Sequence, residues 1–132
     1  MKAIVKHILS DVPKETHEFY NKFIKFLQSE YPLKKDVTVL FLGERDKEHM
    51  STGSRNKHHV LKILTKGRLN RDILRTLAHE WIHEHQHAVL NRKRGPNIGG
   101  KNENEANSGA GILIKKYEKK NPHEEGLMYD SI

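Results

Sequence analysis

The stretch His79-Glu80-Trp81-Ile82-His83 has the clearest chemical reading in this sequence. Histidines four residues apart share one face of a helix, so both imidazoles can reach a single metal ion. The glutamate beside the first histidine can touch a water polarised by that ion and take its proton without ligating the metal itself. His79 and His83 are therefore candidate ligands, and Glu80 is the candidate catalytic base. Leu77, Ala78, Trp81 and Ile82 supply the apolar flank of an amphipathic helix. Cysteine is absent, so the remaining ligands must come from His, Asp, Glu or water.

A second copy of the pattern overlaps the first, at His83-Glu84-His85-Gln86-His87. Both of its variable positions are polar. At 100° per residue its Glu84 falls close to the Leu77–Ala88 apolar stripe, and a base aimed into a core cannot act on a bound water. The first copy is preferred on this ground. His85 and His87 are then read as helix-surface histidines, with His87 also placed to visit the cleft.

A catalytic zinc ion takes three protein ligands and keeps one position open. The segment Asn102-Glu103-Asn104-Glu105-Ala106-Asn107 offers two carboxylates. Helical phase puts Glu103 with Ala106, Asn107, Ala110, Leu113, Ile114 and Tyr117, the apolar face that must pack on the first helix. Glu105 falls opposite, beside Gly109, Ile112 and Lys116. Glu103 is therefore the expected third ligand and Glu105 a solvated residue. The bland alternative is that Glu103 only favours the positive end of its helix, but a carboxylate on a buried face needs a partner. Asn107, one turn on, is placed to hold a ligand histidine by a hydrogen bond.

The elements that must position these residues are legible in outline. Residues 14–30 carry Phe19, Phe23, Phe26 and Leu27 at helical spacing, with Pro13 at the start and Pro32 beyond the end. Residues 36–42 read as a strand, 43–57 as a polar loop and 58–64 as a second strand. A long helix opens at Leu69 or Asn70 and must stop before Gly95-Pro96. After a turn-rich loop, a last helix is expected from about Glu103 to Lys119, halted by Asn121-Pro122. Residues 1–9 and the tail after Pro122 carry no clear pattern. The expected fold is α+β, one domain over residues 1–132, with a small sheet packed on about three helices and the His79–His83 helix central.

With 132 residues, 35% hydrophobic and 31% charged, the chain can build one modest core. It has no apolar run of membrane-spanning length and no signal-peptide pattern. Together with the lack of cysteine, this gives an intracellular, cytoplasmic expectation. A net charge of +7 hints at an anionic partner such as nucleic acid, although a lysine-rich solvated surface explains it as well. The densest basic run, Arg92-Lys93-Arg94, has no interleaved aromatics.

Thr76-Leu77-Ala78-His79-Glu80-Trp81-Ile82-His83, followed by Glu103-Asn104-Glu105-Ala106-Asn107, resembles the gluzincin class of zinc metallopeptidases. The Glu-x-Glu-Ala-Asn stretch is similar to the ImmA/IrrE-like peptidases, and the interval from His83 to Glu103 to that of thermolysin-like enzymes. A compact SprT-like or phage-type peptidase fits the same residues. The match spans residues 76–110, and the chain departs from the ImmA/IrrE pattern at Ser108-Gly109, where bulkier residues are usual. The resemblance implies a zincin-like domain binding one zinc ion through His79, His83 and Glu103, with Glu80 as base and Asn107 supporting a ligand. It also implies that the strand at 58–64 lines the cleft and pairs with an extended substrate, and that a His or Tyr stabilises the oxyanion, with His123, Tyr117 and Tyr129 as candidates. The expected activity is endopeptidase cleavage of a peptide or protein. Two other expectations stand beside it: a non-catalytic, zinc-stabilised binding module, and a nucleic-acid-associated protease.

Overall fold

A computed structural model describes residues 4–10, 12–43, 53–55, 58–92 and 100–131. The fold is α+β, a small four-stranded sheet with four helices among the described residues. In chain order the elements are β1 (Val5–Ile8), α1 (His17–Glu30), β2 (Val37–Leu42), β3 (Gly53–Arg55), β4 (Val60–Leu64), α2 (Asn70–Ala88), α3 (Lys101–Lys120) and a short α4 (Glu125–Met128). One turn of 3-10 helix precedes α1 and another precedes α4.

The strands lie in the order β1-β2-β4-β3. β1 and β4 flank β2 in parallel, with Val5 opposite Val37 and Leu61 opposite Val39. β3 runs antiparallel on the far side of β4, with Gly53 opposite Ile63. In β2 every second residue is buried (Val37, Val39 and Phe41), and in β4 so are Leu61 and Ile63. That period of two directs one face of the sheet into the core.

Against this face α1 lays Phe19, Tyr20, Phe23, Ile24 and Leu27. α2 contributes Ile73, Leu74, Leu77, Ala78, Trp81 and Ile82, and α3 contributes Ala106, Ala110, Leu113, Ile114 and Tyr117. α2 is the central element, touching α1, α3, α4, β3 and β4. Its first turn is anchored by Asn70, which is 1% exposed. The Asn70 amide donates to the Asp130 carbonyl at 2.7 Å, its Nδ2 donates to Leu127 O at 2.9 Å, and its Oδ1 accepts from Tyr20 OH at 2.8 Å. The C-terminal segment thus fixes the start of the helix that carries the candidate site.

α2 and α3 approach closely because α3 turns small residues toward α2. A Cβ added at Gly109 would stand 2.8 Å from Ile82 Cδ1 and 3.3 Å from the Tyr31 hydroxyl. Gly109, expected beside Glu105 on a solvated face, is therefore buried at the helix contact.

Two expectations about the strands change. β3 lies inside the segment read as a loop, and residues 5–8, left without a pattern, form β1. The strand over Val60–Leu64 is present but sits between β2 and β3, so the strand bordering α2 on the outer side is β3. The expected stop at Gly95-Pro96 lies outside the described residues; α2 ends earlier, at Ala88, and Asn91 follows with a left-handed φ of 55°. No helix among the described residues is long and apolar enough to cross a membrane.

Candidate metal centre

α2 carries His79 and His83 one turn apart on its α3-facing side, with their Nε2 atoms 3.1 Å apart. Glu103 enters from the first turn of α3 and spans the pair. Its Oε1 lies 3.0 Å from His79 Nε2 and its Oε2 lies 3.0 Å from His83 Nε2. The three side chains retain 17–19% exposure, which leaves the group open on one side. Together they form a cluster able to hold a metal ion. Tetrahedral zinc with ligand bonds of about 2.0–2.2 Å separates its ligand atoms by about 3.3–3.5 Å, so the spacing here needs a shift of only a few tenths of an ångström. Two imidazoles and one carboxylate also suit a borderline-soft divalent ion.

The ligands are oriented by their neighbours. His83 Nδ1 lies 2.9 Å from Gln86 Oε1, and since an amide oxygen only accepts, Nδ1 carries the proton. The Nε2 lone pair is then left for an ion. Gln86 is itself 1% exposed, and its Nε2 donates to the Asn102 carbonyl at 3.1 Å, which sets the sense of the amide. Asn107 stands beside His79, one turn on from Glu103, and acts to raise the His79 pKa. Burial pushes the His79 imidazole below its ordinary pKa, Glu103 opposes that shift, and the charges of His83 and Arg75 add to it. A lowered value favours the neutral imidazole that ligation needs.

Glu105 does not join the cluster. Its side chain is 41% exposed and is held by Arg92, with Gln86 Nε2 at 3.4 Å. The hydrogen bond from Arg92 holds its carboxyl below the usual range.

Glu80 follows His79 on the side of α2 turned to β3. A Cβ at Gly53 would meet Thr76 Cγ2 at 2.5 Å and Glu80 Cγ at 3.3 Å, so the bare backbone of β3 lies directly over Thr76 and Glu80. Glycine is required for so close an approach. Glu84, one turn further, is 1% exposed and pairs with His59 Nδ1, the residue before β4, which holds a left-handed φ of 59°. The overlapping second motif is thus split as its helical phase suggests: Glu84 points into the fold, and Glu80 stays half-buried beneath β3.

No protein-family model, no curated protein and no solved structure matches this chain. Its chemistry must be read from its own residues.

The three oxyanion-side candidates do not gather at the cluster. Tyr117 is 1% exposed and donates its hydroxyl to Glu124 at 2.9 Å. At 1.5 Å per residue it lies about 21 Å along α3 from Glu103. His123 sits beside Glu124 at the same end, and Tyr129 lies by Arg71, two helical turns before His79. Gln86 and His59 escaped the sequence reading. Gln86 had a usable signal, since three residues after a ligand histidine is hydrogen-bonding distance on a helix. His59 had none, because its partner is 25 residues away in the chain.

Proposed function

We propose that this chain hydrolyses peptide bonds with the help of one divalent metal ion, zinc by preference, held by His79, His83 and Glu103. The observation that carries this reading is the convergence of three ligand atoms within hydrogen-bonding distance, with Glu80 beside them beneath β3. A bound divalent ion would supply Lewis acidity to a substrate carbonyl and to water.

The remaining work falls to the chain's own groups. Glu80 accepts the proton of the attacking water on its carboxylate and passes it to the leaving amine. Gln86 and Asn107 hold the two imidazoles in register, so no reorganisation is needed at the moment of reaction. β3, with Gly53 over Glu80, forms the rim along which an extended peptide would lie. It takes the part expected of the strand at 58–64.

The test is metal content followed by turnover. Protein purified and then loaded with zinc is assayed on a broad peptide library and on casein, beside Glu80→Gln. Cleavage by the wild type, together with at least a 1,000-fold loss in Glu80→Gln at unchanged zinc content, is the expected result. Equal cleavage by both proteins, or stoichiometric zinc with no cleavage of any peptide, would remove the catalytic reading and leave a metal that only braces the fold.

A further inference from the structure

The ligand histidines belong to a row along α2: residues 75, 79 and 83, each one turn apart. Facing it on α3 is the row 103, 107 and 111. The rungs are built in sequence. His83 and His79 both meet Glu103, and Asn107 stands one turn further along α3. At the third rung stands Arg75, with its Nη2 3.9 Å from where a Cβ of Gly111 would be. The position opposite this guanidinium is therefore a glycine, which offers it no side-chain acceptor.

Arg75 is exposed and makes no ion pair or hydrogen bond among the described residues. On the facing helix Glu118 is taken by Arg71 at 3.2 Å, one turn earlier, and Glu103 by the two histidines. A cation left one helical turn from a cation-binding cluster is an electrostatic cost, since it repels the ion the cluster would hold. The cost is removed when an anionic group docks on the arginine. A guanidinium with its planar fork open is suited to bind a carboxylate by two parallel hydrogen bonds.

We propose that Arg75 is a specificity residue that binds a carboxylate of the peptide substrate close to the scissile bond. This rests on the hydrolytic reading above. Side chains four apart on a helix are about 5–6 Å from each other, and an extended peptide advances about 3.3 Å per residue. The carboxylate therefore belongs to a residue one or two positions from the scissile carbonyl. It comes either from an Asp or Glu side chain or from the chain's own C-terminus; the recognition chemistry is the same.

The test reads binding rather than turnover. Full-length Glu80→Gln protein, loaded with zinc, is titrated with three labelled peptides of one sequence: neutral and amidated, neutral with a free C-terminal carboxylate, and amidated with one glutamate. The expected result is about tenfold tighter binding of at least one anionic peptide over the neutral one. Whichever anionic peptide binds identifies the source of the carboxylate. Adding Arg75→Ala should reduce the advantage to less than twofold, Arg75→Lys should keep part of it, and Arg75→Glu should transfer it to a lysine-bearing peptide. Zinc affinity in Arg75→Ala should be equal to or tighter than that of the parent. Equal binding of all three peptides, an anionic advantage that survives Arg75→Ala, or no peptide binding at all would overturn the proposal. The two readings separate cleanly: if Arg75-dependent binding is found but wild-type protein never cleaves the bound peptide, hydrolysis fails and the carboxylate site stands.

Discussion

Replacing Glu103 and Glu105 separately by alanine divides the two carboxylates of α3 by role. Glu103 touches both imidazoles at 3.0 Å, whereas Glu105 lies on Arg92 at the exposed edge of the helix. Structural zinc sites with four protein ligands bind with about 10–16 kcal/mol, so one ligand accounts for about 2.5–4 kcal/mol. Loss of Glu103 should therefore weaken zinc binding about 100- to 1,000-fold. Glu105→Ala removes a contact to Gln86 at 3.4 Å and a solvent-screened ion pair to Arg92, and should shift zinc affinity less than about fivefold. Competition against a chromophoric chelator at fixed pH and ionic strength reads both constants. Circular dichroism of the metal-free proteins checks that each variant folds. Equal zinc affinity in Glu103→Ala and wild type would refute the three-ligand assignment. A larger loss in Glu105→Ala would refute the helical-phase reasoning behind it.

Other outcomes follow from the same geometry. Gln86→Leu frees the His83 ring and removes the Gln86 bond to the Asn102 carbonyl, so zinc affinity should fall about 10- to 100-fold in the same chelator assay. Gly109→Val drives a branched side chain into Ile82 Cδ1, and overpacking of about 1–3 kcal/mol should lower Tm by about 4–10 °C in calorimetry. Glu84→Gln should keep turnover but lose stability in urea titration, because His59 loses a buried charged partner, while Glu80→Gln should do the reverse. Burial raises the Tyr20 phenol above its ordinary pKa of 10.0, and burial with the Glu124 carboxylate does the same for Tyr117. The folded protein keeps these protons where the unfolded chain loses them, so their stabilisation is complete below about pH 10 and declines above it by up to about 1.4 kcal/mol per pH unit for each tyrosine. Absorbance at 295 nm should show two of the four tyrosines ionising only as the protein unfolds.

The sequence was most informative where one period ran long. The α2 and α3 patterns brought Glu103 to the two histidines and turned Glu84 into the core, because a helix converts spacing into direction without help from the rest of the chain. It was least informative where position depends on partners far along the chain. β3 is three residues, Gly53-Ser54-Arg55, with no apolar alternation, and only its pairing with β4 makes it a strand. β1 is short, with Lys6 and His7 inside it, and owes its place to the parallel register on β2. Gly109 was misread for a related reason: periodicity ranks faces by hydrophobicity, and glycine scores as neither. Its burial reflects how close α3 must come to Ile82 and Tyr31, which is a property of the pair of helices.

That closeness links packing to chemistry. Glu103 is short of freedom: it must reach two Nε2 atoms held 3.1 Å apart on another helix, with both of its oxygens at 3.0 Å. The helix separation is set by Ala106, Gly109 and Ala110, all buried within two turns of Glu103. A bulkier residue at Gly109 pushes α3 away from Ile82 and moves the carboxylate from both histidines at once. Metal affinity in a series Gly109→Ala, Ser, Val should therefore fall with side-chain volume even though none of these side chains touches the cluster. The same displacement would stretch the Gln86 bond to the Asn102 carbonyl, which also crosses between α2 and α3. A small residue in the helix contact thus acts as the spacer of the site, and its effect on zinc binding should exceed its effect on the orientation of Glu80, whose position is fixed on the opposite side by β3.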